Sequence, residues 1–420
     1  MHCILSPRVM SEQTYLKAEV VIVGGGPAGL LAAQRLAEAG HQVMIFEAQA
    51  TVGRKFLVAG HGGFNLSNAE PEATFATRYG LDSAAFTSFL THFSPAALRR
   101  WAADLGIETF VGTSGRIFPL AEHKPADLLR AWVARLQQLG VVLHTRHRWL
   151  GFEGSTGLRI QNTSSGKELV VEPQATLLAL GGASWAKTGS NGAWVPAFES
   201  IGVPCVPFSP ANCGAEVAWS AFFQQKVGRA PLKNIALRYG SQRVRGELML
   251  TEYGVEGTPV YALTPALRTE LAKDHRATLL LDLKPDLTDE QLLHRLRTPR
   301  RGKSLADFLK QVLHLPSPVP TLLREIAPEA ATATPETLAH LLRHLPLPVT
   351  ALRPLDEAIS TAGGVSWEAL TPDLMLRQRP GTFIAGEMLN WEAPTGGYLL
   401  QGCFSTGAWA AQGMQAYLRS

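Results

Sequence analysis

The chain has 420 residues, 46% hydrophobic and 18% charged, an ordinary soluble globular balance with length for two or three cores. The formal charge is only +4 and no dense Lys/Arg run appears, so a nucleic-acid partner is not expected. Four scattered cysteines (Cys3, Cys205, Cys213 and Cys403) form no CxxC pair, which argues against a disulfide framework, a zinc site and a redox dithiol, and suits a reducing cytoplasm.

The opening MHCILSPRVM has too short an apolar stretch for a secretory signal, and Met10 is a second candidate start. The apolar stretch 20–34 contains three consecutive glycines and a proline and is too short to span a bilayer, so no membrane partner is expected. Residues 18–23 are an apolar, β-rich run. Gly24, Gly26 and Gly29 follow at GxGxxG spacing, then a helix from Pro27 and Ala28 to Ala39 that Gly40 would cap, then a strand from Gln42 to Phe46 that delivers Glu47. In such a unit the first glycine makes the turn, the second lets backbone approach a pyrophosphate, and the third lets helix and strand pack. Strand, glycines, helix, strand and terminal acid in that order predict a dinucleotide site. Glu47 would accept hydrogen bonds from ribose hydroxyls and repel a 2′-phosphate.

Arg54 follows the ribose acid closely enough to reach the pyrophosphate or its flank, with Lys55 beside it. In AGHGGFN (59–65), Gly62 and Gly63 leave room for backbone N–H groups to approach a ligand ring. Asn65 is placed to bond the ring edge or order the loop, and His61 reads equally as a catalytic group or a solvent-facing turn histidine. Arg116, in SGRIFP, suits a substrate carboxylate or a helix end. Helices are predicted over 83–105 and 124–139, the second leading into one strand, GVVLHTRHRWLGFE. A β-rich segment, 158–180, runs into Gly181-Gly182, which reads as a return of the chain to the ligand.

From 195 the pattern changes. Strand-like runs at 203–217, 227–239, 243–250 and 277–283 precede a helical, Leu/His/Pro-rich region over 288–350, read as an inserted substrate or lid module that covers the ligand's reactive face. The chain returns with a strand, Thr382–Ala385, ending in Gly386-Glu387. Thr395, Gly396, Gly397 and Tyr398 then open a helix of about twenty residues. The Gly386-Glu387 pair resembles the Gly-Asp that flavoproteins of the two-dinucleotide-domain type place here, where the carboxylate meets the ribityl chain, with Glu387 one methylene longer. A helix N-terminus suits the N1–C2=O edge of a reduced, anionic flavin. Nicotinamide chemistry requires neither, so the predicted cofactor is FAD.

These residues carry a family resemblance. GGGPAG, VGRKFLVAGHGGFNLSN, SGRIFP, LALGGASWAKTGSNG and the block from AISTAGGVSW to TGGYLLQGCFSTG resemble the bacterial three-domain flavoproteins of the BaiN/YhiN type, described as NAD(P)/FAD-dependent or aminoacetone oxidase-like oxidoreductases. The resemblance covers nearly the whole chain from about residue 18. It implies an α/β fold: a Rossmann-type FAD-binding domain with an inserted β-barrel-like domain and a helical lid. The expected divisions are 18–194 for the first part of the FAD domain, 195–285 for the β-rich insert, 286–354 for the lid and 355–420 for the rest of the FAD domain. Leu399 departs from the family, which usually has Asn there, and that puts any polar contact at this position in doubt.

The leading functional expectation is an FAD-dependent oxidoreductase exchanging hydride with a small organic substrate. The flavin carries the reaction, which accounts for a sequence without a Ser-His-Asp, paired-carboxylate or HExxH arrangement. Two alternatives stand beside it: a flavin-holding protein that modifies or binds RNA, and a non-catalytic flavin redox sensor. Catalytic residues are not identified. His61, Asn65, Arg116 and Trp391 are the candidates, with Trp391 a substrate wall or a core aromatic and Cys403 a packed thiol. Only one GxGxxG lies at a strand–helix junction, so NAD(P)H, if it acts, is a transient visitor to the substrate cleft.

Overall fold

The structure, a computed structural model, describes residues 14–58 and 64–420. Its first layer is a seven-stranded sheet built around the strand Thr14–Val23. Val43–Glu47 lies parallel to it on one side, with Val20 opposite Val43 and Ile22 opposite Ile45. Glu168–Leu178 lies parallel on the other side, with Ile22 opposite Leu177. Val142–Thr145 extends the sheet beyond Val43–Glu47. A strand flanked on both sides and buried on both faces must be apolar without alternation, and Val20, Val21 and Ile22 are fully buried.

The eleven-residue strand Glu168–Leu178 serves two partners in succession. Its first half pairs antiparallel with Gly157–Asn162, and its last residues pair parallel with Thr382–Ile384. The helix Pro27–Glu38 starts directly after the glycine turn, and the chain closes with the helix Tyr398–Arg419. The two helices approach at Gly407, where a Cβ would lie 2.4 Å from the Ala28 carbonyl oxygen. That contact requires glycine.

Residues Ser209–Thr361 form a second compact unit; the first gathers the described residues up to Phe208 with Ala362–Ser420. The second unit is a closed antiparallel barrel of six strands with its own apolar core. Around the barrel run Ala215–Val217, Gly254–Glu256, Gln242–Thr251, Ala230–Tyr239, Ala277–Asp282 and Leu345–Leu352. In the last of these Leu345, Leu347 and Val349 are buried while Pro346, Pro348 and Thr350 are exposed, the period of two expected for a barrel wall. Four short helices over 289–343 present i, i+3 and i+4 apolar positions to this core, among them Leu292 and Leu296, Phe308 and Leu309, and Leu338 and Leu342.

The α/β class with an inserted barrel stands, and four local readings change. The stretch 83–105 is two helices, Ser83–His92 and Pro95–Asp104, because Ser94 caps the second through Ala97 N–H with Pro95 at its first position. GVVLHTRHRWLGFE is two strands, broken at Arg146 with φ 58°. The helical region stops at Arg343, and Leu345–Leu352 is a barrel strand, so barrel and helices share one core where a separate 286–354 piece was expected. The helix Val195–Glu199 packs with the first unit, and the divisions fall at 208/209 and 361/362. Among the described residues no helix is long and apolar enough to cross a membrane.

Candidate functional site

The glycine turn is forced by contacts. Gly24 has φ +107°, and a Cβ on it would lie 2.2 Å from the Ala179 carbonyl oxygen. A Cβ on Gly29 would lie 2.1 Å from the Gly24 oxygen and 3.2 Å from Ile22 Cγ2, so this glycine sets the helix–strand distance. Gly25, not singled out by the motif, is equally constrained, with a Cβ 2.5 Å from Val52. Gly26 differs: no atom lies within 4 Å of where its Cβ would be. It is the N-cap of Pro27–Glu38, with φ −84°, so the first-turn N–H groups have no side-chain cap and Gly26 itself borders open space.

That space is a cavity of about 420 Å³, within the size range of ligand sites. Gly24, Gly26, Pro27, Ala28, Glu47, Arg54, Lys55, Gly181, Gly386 and Glu387 all line it. Glu47 is fixed at its edge: Oε2 accepts from the Gly25 N–H at 2.8 Å and Oε1 from the Gln49 N–H at 2.7 Å. Each oxygen keeps acceptor capacity for a ligand hydroxyl. Arg54 is exposed, and its guanidinium reaches Gln49 Oε1 at 3.4 Å.

On the opposite wall Gly181 adopts φ +76°, and a Cβ there would meet Ser190 Oγ at 3.0 Å. Ser190 Oγ is buried beside the cavity with no hydrogen-bond partner among the described residues. Gly182 supports the same turn by accepting from the Gly192 N–H at 3.1 Å. A buried hydroxyl without a partner is costly unless a ligand supplies one. Open backbone at Gly26, an oriented ribose-type acid and an unpartnered wall hydroxyl together fit a dinucleotide.

Glu387 is only 7% exposed and its Oε2 accepts from Lys55 Nζ at 2.7 Å; the same ammonium donates to Ser184 Oγ at 2.9 Å. Burial, then the nearby Glu387 charge, pushes the Cys403 thiol up to about 12, so it stays neutral as a packed thiol does.

The remaining candidates gather around the start of the closing helix and are not themselves among the residues lining that cavity. Gly396 and Gly397 have φ +121° and +98°, and a Cβ on Gly397 would lie 2.5 Å from the Ser67 carbonyl and 2.6 Å from Asn65 Oδ1. The segment 64–68 therefore lies across the helix start, next to Thr395, and Asn65 Oδ1 is buried without a partner among the described residues. Arg116 Nε is 3.9 Å from the Gly396 Cβ position. Tyr398 is buried against Phe75 at 4.7 Å, and its carbonyl accepts from Tyr79 Oη at 2.8 Å. Trp391 is 3% exposed, lies tilted against Phe86 with ring centroids 4.9 Å apart and donates its indole N–H to the Gly386 carbonyl at 2.9 Å, a core position. His61, Gly62 and Gly63 lie outside the described residues. Sequence reasoning missed Gly25, Ser184 and Ser190; the triple glycine was a signal for the first, and the stretch LALGGASWAKTGSNG, which contains both serines, was a signal for the other two.

The chain belongs to the HI0933-like protein Rossmann-domain family, whose model matches residues 18–413. It is 26% identical over 414 residues to the 3-dehydro-bile acid delta(4,6)-reductase of Clostridium scindens, covering 92% of this chain and 96% of that one. It is 21% identical over 412 residues to the ribosomal RNA dihydrouridine synthase of Haemophilus influenzae, covering 93% and 96%. Its fold is similar to that of a 3-ketosteroid-delta4-(5alpha)-dehydrogenase from Rhodococcus jostii, with a TM-score of 0.53, 16% identity and 97% and 98% of the two chains covered.

Proposed function

We propose that this member of the HI0933-like family is an FAD-dependent oxidoreductase acting on a small organic substrate. The observation that carries the reading is the pairing of two strand ends. Val23 and Ile384 both lie opposite Leu178, and the cavity beyond them is lined by the Gly24–Gly26 turn from one strand and Glu387 from the other. FAD, when bound, supplies the hydride donor or acceptor. Glu47 binds ribose hydroxyls, the N–H groups after Gly26 hold the diphosphate, and Ser190 Oγ gains its missing partner. The start of Tyr398–Arg419 has no acidic residue in its first turn, so its positive dipole end would favour an electron-rich carbonyl edge brought to it.

The names of the two curated relatives describe a reductase and a dihydro-product synthase, so ring compounds with a reducible carbon–carbon double bond are the first substrates to screen. NAD(P)H is proposed only as a transient electron donor. The test is direct: the purified protein should be yellow and release FAD rather than FMN on denaturation. A colourless protein that takes up no added FAD rejects the proposal. Copurified RNA that the protein modifies would move the assignment to the RNA-acting alternative, which the Haemophilus relative represents at the lower identity.

A further inference from the structure

Lys55 sits on the short helix Arg54–Val58, Ser184 on the turn after Gly181-Gly182, and Glu387 after the strand Thr382–Ile384. Three remote segments thus meet at one ammonium. Two of its three hydrogens are committed, at 2.7 Å to Glu387 and 2.9 Å to Ser184. Ser184 is fully buried, Glu387 is 7% exposed and the Lys55 side chain 25% exposed. Both charged residues line the dinucleotide cavity.

A carboxylate this deep has lost most of its water, and the Lys55 ammonium at 2.7 Å supplies it with a counter-charge. It also faces the place where an anionic diphosphate is proposed to bind, so an uncompensated Glu387 would repel the cofactor as well as destabilise its own wall. We propose that Lys55 is a positioning residue: it neutralises and orients Glu387 so that this carboxylate supports FAD binding instead of opposing it. The inference rests on the FAD reading. It assigns Lys55 an action through Glu387, where proximity to the glycine turn alone suggests a direct phosphate contact.

A direct phosphate contact and a neutralising role differ in what a second mutation does. If Lys55 works through Glu387, removing the carboxylate relieves most of the damage of removing the lysine. If Lys55 holds phosphate, the two losses multiply.

The experiment uses wild-type protein, Lys55→Arg, Lys55→Gln, Glu387→Gln and the double variant Lys55→Gln/Glu387→Gln. Each is stripped of flavin, titrated with FAD and followed by thermal unfolding without FAD. Lys55→Gln should bind FAD at least about tenfold more weakly, the scale of an unpaired buried charge. The double variant should recover most of that loss, and Lys55→Arg, which keeps the charge, should stay near wild type. Losses that multiply in the double variant, or an Arg variant as weak as the Gln variant, overturn the proposal. If Lys55→Gln does not fold, the double variant decides: restored folding supports neutralisation and continued failure rejects it. The melting temperatures give the same cycle without cofactor. Wild-type protein that binds no FAD therefore sinks the FAD reading, while the unfolding cycle still judges the pair.

Discussion

Two strand ends flank Leu178, and they hold their carboxylates by different means. Beside Thr14–Val23, Glu47 takes two backbone N–H groups, from Gly25 and Gln49, and stays partly open to solvent. Beyond Thr382–Ile384, Glu387 is almost fully covered and takes the Lys55 ammonium. Backbone dipoles suffice where water still reaches the charge; a cation is needed where it does not. A third carboxylate completes the series. Asp82 is partly buried and has neither arrangement among the described residues; burial, and less strongly the Glu392 charge, raise it to about 6 against the opposing effect of the Trp367 indole.

The largest effect that tests this comparison comes from the turn beneath Glu47. Gly24→Ala forces a Cβ to 2.2 Å from the Ala179 oxygen at φ +107°, and should cost about 3 kcal/mol or more in apoprotein stability, read by denaturant unfolding. Gly26→Ala has no such clash and an ordinary φ of −84°, so apoprotein stability should change by less than about 0.5 kcal/mol. FAD affinity should nevertheless fall, because the methyl enters the cavity. Equal destabilisation by both substitutions would show that the Gly26 face is packed in solution.

Glu47→Ala should weaken FAD by about 1.5–3 kcal/mol, the range for hydrogen bonds to a charged group, measured by titration of apoprotein. Unchanged affinity would mean that the carboxylate serves only the turn.

The smallest effect concerns Asp82. Between pH 3.8, the ordinary value, and about 6, the folded protein holds a proton that the unfolded chain has lost. Stability therefore falls as pH rises through that window and levels off above it. Asp82→Asn should remove this slope and stabilise the protein at pH 7.5 by about 1 kcal/mol, after allowance for solvent screening. A slope that survives the substitution would assign it to another group.

The dinucleotide turn was legible because its constraints are local: Gly24, Gly29 and Glu47 act within one strand–helix–strand unit, and each needs its residue type for a steric or charge reason. The partnership of Lys55 with Glu387 spans 332 residues, and nothing in either neighbourhood announces the other. Barrel closure was hidden differently. In Leu345–Leu352, Pro346 and Pro348 read as strand breakers, yet they occupy exposed positions while Leu345, Leu347 and Val349 fill the core. The helix Thr258–Asp274 was masked by its internal Pro265. At the ring end, His61, Gly62 and Gly63 remain expectations, and Asn65, Arg116 and Tyr398 are assigned positions but not chemistry.

The strand Thr382–Ile384 and the helix Tyr398–Arg419 finish the first unit, inserting beside Glu168–Leu178 and against Ala28. The barrel unit, by contrast, is one continuous run, Ser209–Thr361, with its own core. On the ribosome the barrel is therefore fully synthesised while Glu168–Leu178 still waits for Thr382–Ile384, and the helix Pro27–Glu38 for Tyr398–Arg419. That strand pairing is long-range and closes late, leaving the edge at Thr176–Leu178 without its parallel partner meanwhile.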